Sequence, residues 1–469
     1  MKRIYRVYKK TVSIVDETAT GMYESLVGDK KGFLLESYDK NYDRFTFMGA
    51  EPEEIITSDG MALVRVLKDG SVIRQEGNPL ELLKEYYSSF EIRREEGDTG
   101  FTGGLVGNLG YDFVRYSEVL PDDNPDEIGI ETVQMMLMKE FLVVDHVAET
   151  MTAVVLESDD AKGKELAAEK AAAMIAQARK KTDEPAVTFI QDGTIIKKSD
   201  TLRQYSEKVE KIKHYIREGH IFQTVLSQRW TIETSQDGFA LYKELRALNP
   251  SPYLYYFNYG TFEVIGSSPE MVVKKQDDRV FTCPIAGTRK RGKSEKEDEA
   301  LAKELLAVEK ERAEHVMLVD LARNDMGRIS KFGTVKVTEF MGIRKFSHVM
   351  HIVSTVEGRK NGSSHPLDLV ASFLPAGTLS GAPKIRAMEI IDELETVRRG
   401  LYGGATGYLD FNGDMDFCIT IRTMIKKKNR VYLQAGAGIV ADSVPEMEYQ
   451  ECCNKVMALA KTLVKEEQL

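Results

Sequence analysis

What most constrains the fold of this chain is how its extended runs are grouped. They come in pairs joined by polar turns, with long helical segments between groups of strands and not between every two. The runs at 31–37 and 44–49 flank a polar Tyr38-Asp39-Lys40-Asn41-Tyr42-Asp43 and predict a hairpin. Gly103, Gly104, Gly107 and Gly110 punctuate a second strand pair and mark close backbone approach. Helices are expected over about 162–181, 201–218 and 240–247, with a strand over 221–231. One long helix is expected from Ser294 to about Asp325, with Ser294 as N-cap, Glu297 at the capping-box position and Gly327 as the stop. The last third alternates a helix at 383–396 with strands at 402–411, 415–426 and 430–440, and a final helix opens at Ser443 and runs to about Lys465. Hairpins with helices segregated from them make the expected class α+β.

At 469 residues the chain exceeds one typical hydrophobic core. The polar Thr182-Asp183-Glu184-Pro185 is the best linker, dividing an N-terminal β-rich region (1–185) from a C-terminal region (186–469). A net charge of −10 gives no footprint for nucleic acid or an anionic membrane, so an anionic ligand needs local cations. Cys283, Cys418, Cys452 and Cys453 form no CxxC pair and sit in apolar segments, which predicts buried thiols in a reducing compartment. The N-terminus has charge without an apolar h-region, and no run approaches 18 apolar residues, so the expectation is a cytoplasmic protein.

Two carboxylate pairs carry the chemistry. Glu311 with Glu314, and Glu448 with Glu451, are each spaced i,i+3, which sets two carboxylates on one helix face about 5–6 Å apart at Cβ. Convergence of the two pairs would make a hard-cation site for Mg²⁺. Spacing alone leaves solvated helix faces open as the alternative, with Glu451 and Lys455 an ordinary i,i+4 pair. His351 follows a strand-like run, where a satisfied core histidine is the other reading. The stretch 375–384 carries Gly377, Gly381 and Lys384 but fails phosphate-loop spacing. Gly436-Ala437-Gly438 offers bare backbone N–H groups to an anion, or a tight strand exit.

Taken in order, several motifs settle the matter together. They are Ile221-Phe222-Gln223 through Leu226-Ser227-Gln228-Arg229, Gly266-Ser267-Ser268-Pro269-Glu270, and Pro284-Ile285-Ala286-Gly287-Thr288-Arg289. After them come 311–325, 375–384, Arg398-Arg399-Gly400-Leu401-Tyr402-Gly403-Gly404, Ile421-Arg422-Thr423 and 436–455. This part of the chain resembles the chorismate-utilising enzyme family, most closely its anthranilate synthase large subunits. The N-terminal half is matched more thinly, through 34–37, 103–104 and 110–112, with 249–253 beyond it.

The resemblance implies two packed, largely antiparallel sheets surrounded by helices. It implies that Glu311, Glu314, Glu448 and Glu451 surround Mg²⁺, which holds the ring carboxylate of chorismate. Gly287 and Thr288 line the same pocket, while Tyr402, Arg422, the Gly436, Ala437 and Gly438 amides and Lys455 grip the enolpyruvyl carboxylate. Glu270 matches the acid that protonates the departing C4 hydroxyl, with His351 and Thr378 beside the ring. The implied reaction adds ammonia at C2 and releases pyruvate, giving anthranilate. Isochorismate-forming relatives carry lysine where Gln223 stands, and many aminodeoxychorismate synthases carry lysine where Ala286 stands. A non-catalytic amino-acid sensor is the reading from another class, against which every acidic and cationic position is intact. Ser37, Pro252, Tyr253 and Leu254 resemble the family's L-tryptophan feedback site, for which a plain hairpin-on-loop contact is the alternative. No glutaminase nucleophile is present, so a separate glutamine amidotransferase subunit is the implied ammonia source.

Overall fold

In the computed structural model, residues 2–37, 44–95, 100–180, 187–346, 349–362 and 364–468 are described. The polar turn at 38–43 and the linker segment at 182–185 lie outside them. Two sheets of 13 and 12 strands form the centre, and every strand pairing described is antiparallel except that of Arg3–Ser13 with Phe90–Arg93. The expected hairpin is present: Gly32–Glu36 pairs with Phe45–Ala50, Phe33 facing Gly49 and Leu35 facing Phe47.

Strand alternation explains the layering. In Tyr253–Asn258, Tyr255 and Phe257 point into a core shared with Val106, Met136, Met138 and Cys418 of the other sheet. Leu254 and Tyr256 point the other way, into a core with Tyr23, Phe239, Tyr242 and Val456 from helices outside. The second sheet likewise buries Met135, Leu137 and Phe417 against Val319, Met326 and Val370 of its own helices. The order is helices, sheet, sheet, helices, with apolar residues on both faces of the central strands. Gly266 lies opposite Tyr255, and a Cβ there would come within 2.1 Å of the Tyr255 ring, so the large aromatic is accommodated by an absent side chain.

Both sheets take strands from either side of residue 185. In the larger, Tyr253–Asn258 pairs with Gly32–Glu36; in the smaller, Ala405–Asp410 pairs with Gly104–Leu109.

Three expectations need correction. The long helix is two, Glu295–Ala307 and Glu309–Ile329, broken at Val308 with φ −74 and ψ 111. Leu305 packs with Met350 and Ile352, whereas Leu318 lines the cavity described below. The two residues lie about 220° apart around a continuous helix, so one straight rod cannot aim both inward. The second helix also passes through Gly327 to Ile329. The strand expected at 415–426 is two: Met415–Ile419 in the smaller sheet and Thr423–Lys427 in the larger. The final helix runs Pro445–Ala460 with Val444 as cap, because the Ser443 hydroxyl instead accepts from Val440 N–H at 3.0 Å.

Candidate functional site

The chain passes between the sheets at two places that meet. Between Glu263–Ser268 and Met271–Gln276 it crosses at Pro269-Glu270; between Met415–Ile419 and Thr423–Lys427 it crosses at Thr420-Ile421-Arg422. Ile419 N–H donates to Glu270 O at 2.9 Å, and Ser267 N–H to Arg422 O at 3.1 Å, so each crossing braces the other. Arg422 takes φ +51, a left-handed conformation that costs a non-glycine residue about 1–3 kcal/mol and is held by these bonds.

A cavity of about 270 Å³ opens at this junction. Its wall includes Glu270, Gly287, Thr288, Glu314, His351, Thr378, Tyr402, Arg422, Gly436, Gly438, Glu451 and Lys455, drawn from residues far apart in sequence. Gln223 and Ala286 line it too. Glu311, Glu448 and Ala437 lie beside the cavity and not in its wall. Glu311 sits behind Gly287, where a Cβ would meet its Oε2 at 3.0 Å. The Ala437 methyl packs outward with Tyr205 and Leu226, leaving only its main chain toward the site. Strand Arg430–Ile439 pairs along one edge with Gln223–Glu233 throughout, but along the other only as far as Leu433. Gly436 to Gly438 therefore have one edge with no partner strand among the described residues, as an anion site requires.

Burial raises the Glu270 carboxyl to about 7, opposed by the Thr378 hydroxyl, which donates to Oε1 at 3.0 Å, and by the Lys455 charge. Glu270 thus keeps a substantial share of its acid form at neutral pH. The His351 Nδ1 lies 2.8 Å from Gly287 O, and a carbonyl only accepts, so Nδ1 carries the proton and Nε2 keeps its lone pair. Burial and the Arg422 charge hold His351 below its ordinary value, in the neutral form. Desolvation comes first in raising Glu314, followed by the neighbouring Glu311 charge and then Glu451; Glu448 is raised by burial and by Glu451. Lys455 bonds Glu451 at 2.7 Å and Gly436 O at 2.9 Å, so the ordinary i,i+4 pair forms within the cavity wall. These crowded carboxylates are a donor set suited to a hard cation. Among the described residues, no three carboxylate, His or Cys groups converge as a ready-made ligand shell.

Gln434 also lines the cavity and escaped the sequence reading. Its amide donates to Ser227 Oγ at 2.8 Å and its oxygen accepts from Arg229 Nε at 3.0 Å. A lone glutamine in the apolar run 431–437 was the signal.

A wider groove of about 470 Å³ adjoins the cavity, sharing Thr288, His351 and Arg422, and reaches Pro252 and Lys461. Pro252 also lines a small cavity of about 40 Å³ with Ser37, Tyr253, Leu254, Phe47 and Asp416. The Ser37 hydroxyl there is buried without a hydrogen-bond partner, and Tyr253 OH donates to Asp416 Oδ1 at 3.0 Å.

Residues 31–461 match the family model described as chorismate binding enzyme. The chain is 45% identical to anthranilate synthase component 1 of Acetivibrio thermocellus, over 99% of this chain and 96% of that one. With the component 1 of Thermus thermophilus the identity is 43%, covering 99% and 98%. The crystal structure of anthranilate synthase component I from Streptococcus pneumoniae TIGR4 superposes with a TM-score of 0.79 at 38% identity, covering 89% of this chain and 92% of that one. A menaquinone-specific isochorismate synthase of Escherichia coli shares the fold at 19% identity, with a TM-score of 0.74 over 98% and 94%.

Proposed function

Given that the chain belongs to the chorismate-binding enzyme family, we propose that it converts chorismate and ammonia to anthranilate and pyruvate, as the large component of an anthranilate synthase. One observation carries this reading within the family. Gln223 and Ala286 both face the cavity, so neither position presents an amine to activate water or to form an adduct with the ring. Ammonia is left as the nucleophile.

Ammonia attacks C2, both ring double bonds shift (C1–C2 to C1–C6 and C5–C6 to C4–C5), and the C4–O bond breaks. The ammonium formed at C2 releases one proton to water, leaving the amine. Glu270 delivers its proton to that oxygen, which leaves as water. Thr378 fixes the carboxyl through Oε1. His351 Nε2 then removes the C2 proton, the C3–O bond breaks, and the enolpyruvyl fragment takes a proton and departs as pyruvate. Arg422, Tyr402, Lys455 and the Gly436 and Gly438 backbone hold the enolpyruvyl carboxylate; a planar guanidinium fork suits that anion. Glu314 and Glu451, backed by Glu311 and Glu448, would hold Mg²⁺, which when bound supplies an electrostatic anchor for the ring carboxylate.

The relatives' designation as component 1 supports a partner component, which we infer to be a glutamine amidotransferase delivering ammonia. The Ser37 and Pro252–Leu254 cavity is the proposed L-tryptophan site, whose walls must part to admit a ligand of that size. Its shared Pro252 wall with the groove supports feedback inhibition. A cytoplasmic location is supported by four buried free thiols and by the absence, among the described residues, of any helix long and apolar enough to cross a membrane.

Incubation with chorismate and ammonium, with Mg²⁺ and then with chelator, tests the reading. Fluorescent anthranilate and stoichiometric pyruvate are expected only with Mg²⁺. Accumulation of 4-amino-4-deoxychorismate would assign the chain to the folate branch, and isochorismate would refute the nucleophile assignment.

A further inference from the structure

Glu270 borders two spaces. Its front faces the cavity for the substrate; its back faces a separate cavity of about 40 Å³ lined by Thr378, Thr282, Asp325, Ala322 and Leu318. That volume suits a short chain of about two or three waters. The wall is largely apolar, with Met271, Leu321 and Phe373 beside Leu318 and Ala322, and Glu270, Thr282, Asp325 and Thr378 are the side chains that offer ordered water its partners. At its far side Asp325 is buried on the Glu309–Ile329 helix and accepts from Lys384 Nζ at 2.8 Å. We propose that this rear cavity is the route by which Glu270 regains its proton, with Asp325 as the relay residue.

The proposal rests on Glu270 being the acid that protonates the C4 hydroxyl. A substrate seated against Glu270 excludes solvent from the front, and its two carboxylates favour the protonated acid. The proton must then arrive from behind. A rear water gives one proton to Glu270 and takes one from the acid form of Asp325. Asp325 recovers its own from bulk water, so every O–H broken is replaced and one proton moves inward. The groups around the route are few. Glu314, Glu451, Lys455, His351 and Arg422 line the front cavity that Glu270 faces. Lys384 from the Lys384–Leu394 helix and Arg328 from its own helix act on Asp325, lowering an acid that burial raises.

The test uses the whole chain with ammonium as nitrogen donor, near pH 8. The parent enzyme is assayed first; if it forms no anthranilate, the reading of function fails and the relay with it. Given parental activity, Asp325→Asn and Ala322→Leu are compared, the second filling the rear cavity while leaving the ion pair intact. Each is expected to lower kcat at least about tenfold, with KM within threefold and a larger solvent deuterium effect on kcat. Glu270→Gln should abolish turnover in every arm. A kcat near parental in either folded variant, or a fall in kcat with an unchanged solvent isotope effect, overturns the relay while leaving the function standing. Should Asp325→Asn fail to fold, Ala322→Leu decides alone. Should both fail, the parent's own solvent isotope effect decides: no effect on kcat at saturating chorismate overturns the proposal.

Discussion

Replacing Thr378 by valine should move the alkaline limb of activity upward, a direction opposite to that expected for loss of a helper to an acid. The hydroxyl donates to Glu270 Oε1 at 3.0 Å and so favours the carboxylate, holding the acid below where burial alone would put it. A hydrogen bond to a charged group is worth about 1.5 kcal/mol, or about one pKa unit. The limb near 7 in the parent should therefore move to about 8, alongside a lower kcat from a less firmly placed carboxyl. The starting point matters. A carboxyl at the ordinary 4.5 would be acid in about one molecule in a thousand near pH 7.5, whereas one at about 7 is acid in about one in four. Initial rates of anthranilate fluorescence would be recorded across the neutral and alkaline range with free ammonia held constant, because ammonia itself titrates. A limb that stays in place or moves down would refute the claim that Thr378 stabilises the carboxylate. A parent limb below pH 6 would refute Glu270 as the titrating acid.

Glu314→Gln and Glu451→Gln should each lower Mg²⁺-dependent turnover at least about a hundredfold with the circular dichroism spectrum unchanged, since hard-cation ligation needs the anionic oxygen. Activity within a few-fold of parental would remove either residue from the metal site. Ser37→Phe should raise the L-tryptophan concentration for half-inhibition at least about tenfold with uninhibited turnover near normal; unchanged inhibition would place the effector elsewhere. Glu244 is buried with neither carboxyl oxygen fully hydrogen-bonded, and burial raises it to about 7. Its contribution to stability is fully present below 4.5 and is lost as pH rises through about 7. Glu244→Gln should therefore stabilise the protein by about 2 kcal/mol near pH 8 and hardly at all near pH 4, as measured by denaturant unfolding at both.

The residues that line the cavity were legible through the resemblance, which is carried by short local motifs: Pro269-Glu270, Gly287-Thr288 and Ile421-Arg422-Thr423. Periodicity failed where it reports a face without saying which core that face meets. The helix break at Val308 follows from Leu305 and Leu318 serving different surroundings, and no glycine or proline marks it. The run 415–426 looks like one strand because apolar residues recur at 415, 417, 419, 421 and 425, so the change of sheet at 420–422 does not interrupt the alternation. Glu311 and Glu448 complete the expected acidic shell by their spacing, and Ala437 enters by adjacency to two glycines; all three lie beside the cavity and not in its wall. Spacing fixes a helix face but not how far that face is set back from the cavity. Gln434 was passed over because a single polar residue in an apolar strand does not reveal whether it meets a ligand or, as here, also a buried arginine and serine.

The interleaving of early and late strands has a consequence for how this protein comes into being. As the chain emerges during synthesis, Gly32–Glu36 and Gly104–Leu109 are made long before Tyr253–Asn258 and Ala405–Asp410, the strands that complete their ladders. The closing partner of Gln223–Glu233 is Arg430–Ile439, made later than any of these strands. Until then both sheets present unpaired apolar edges, the kind of surface that aggregates or recruits a chaperone. Closing loops of several hundred residues also makes folding slow relative to a helical protein of this size. Nascent chains stalled before residue 430 should therefore stay protease-sensitive throughout, including in the segments that were synthesised first.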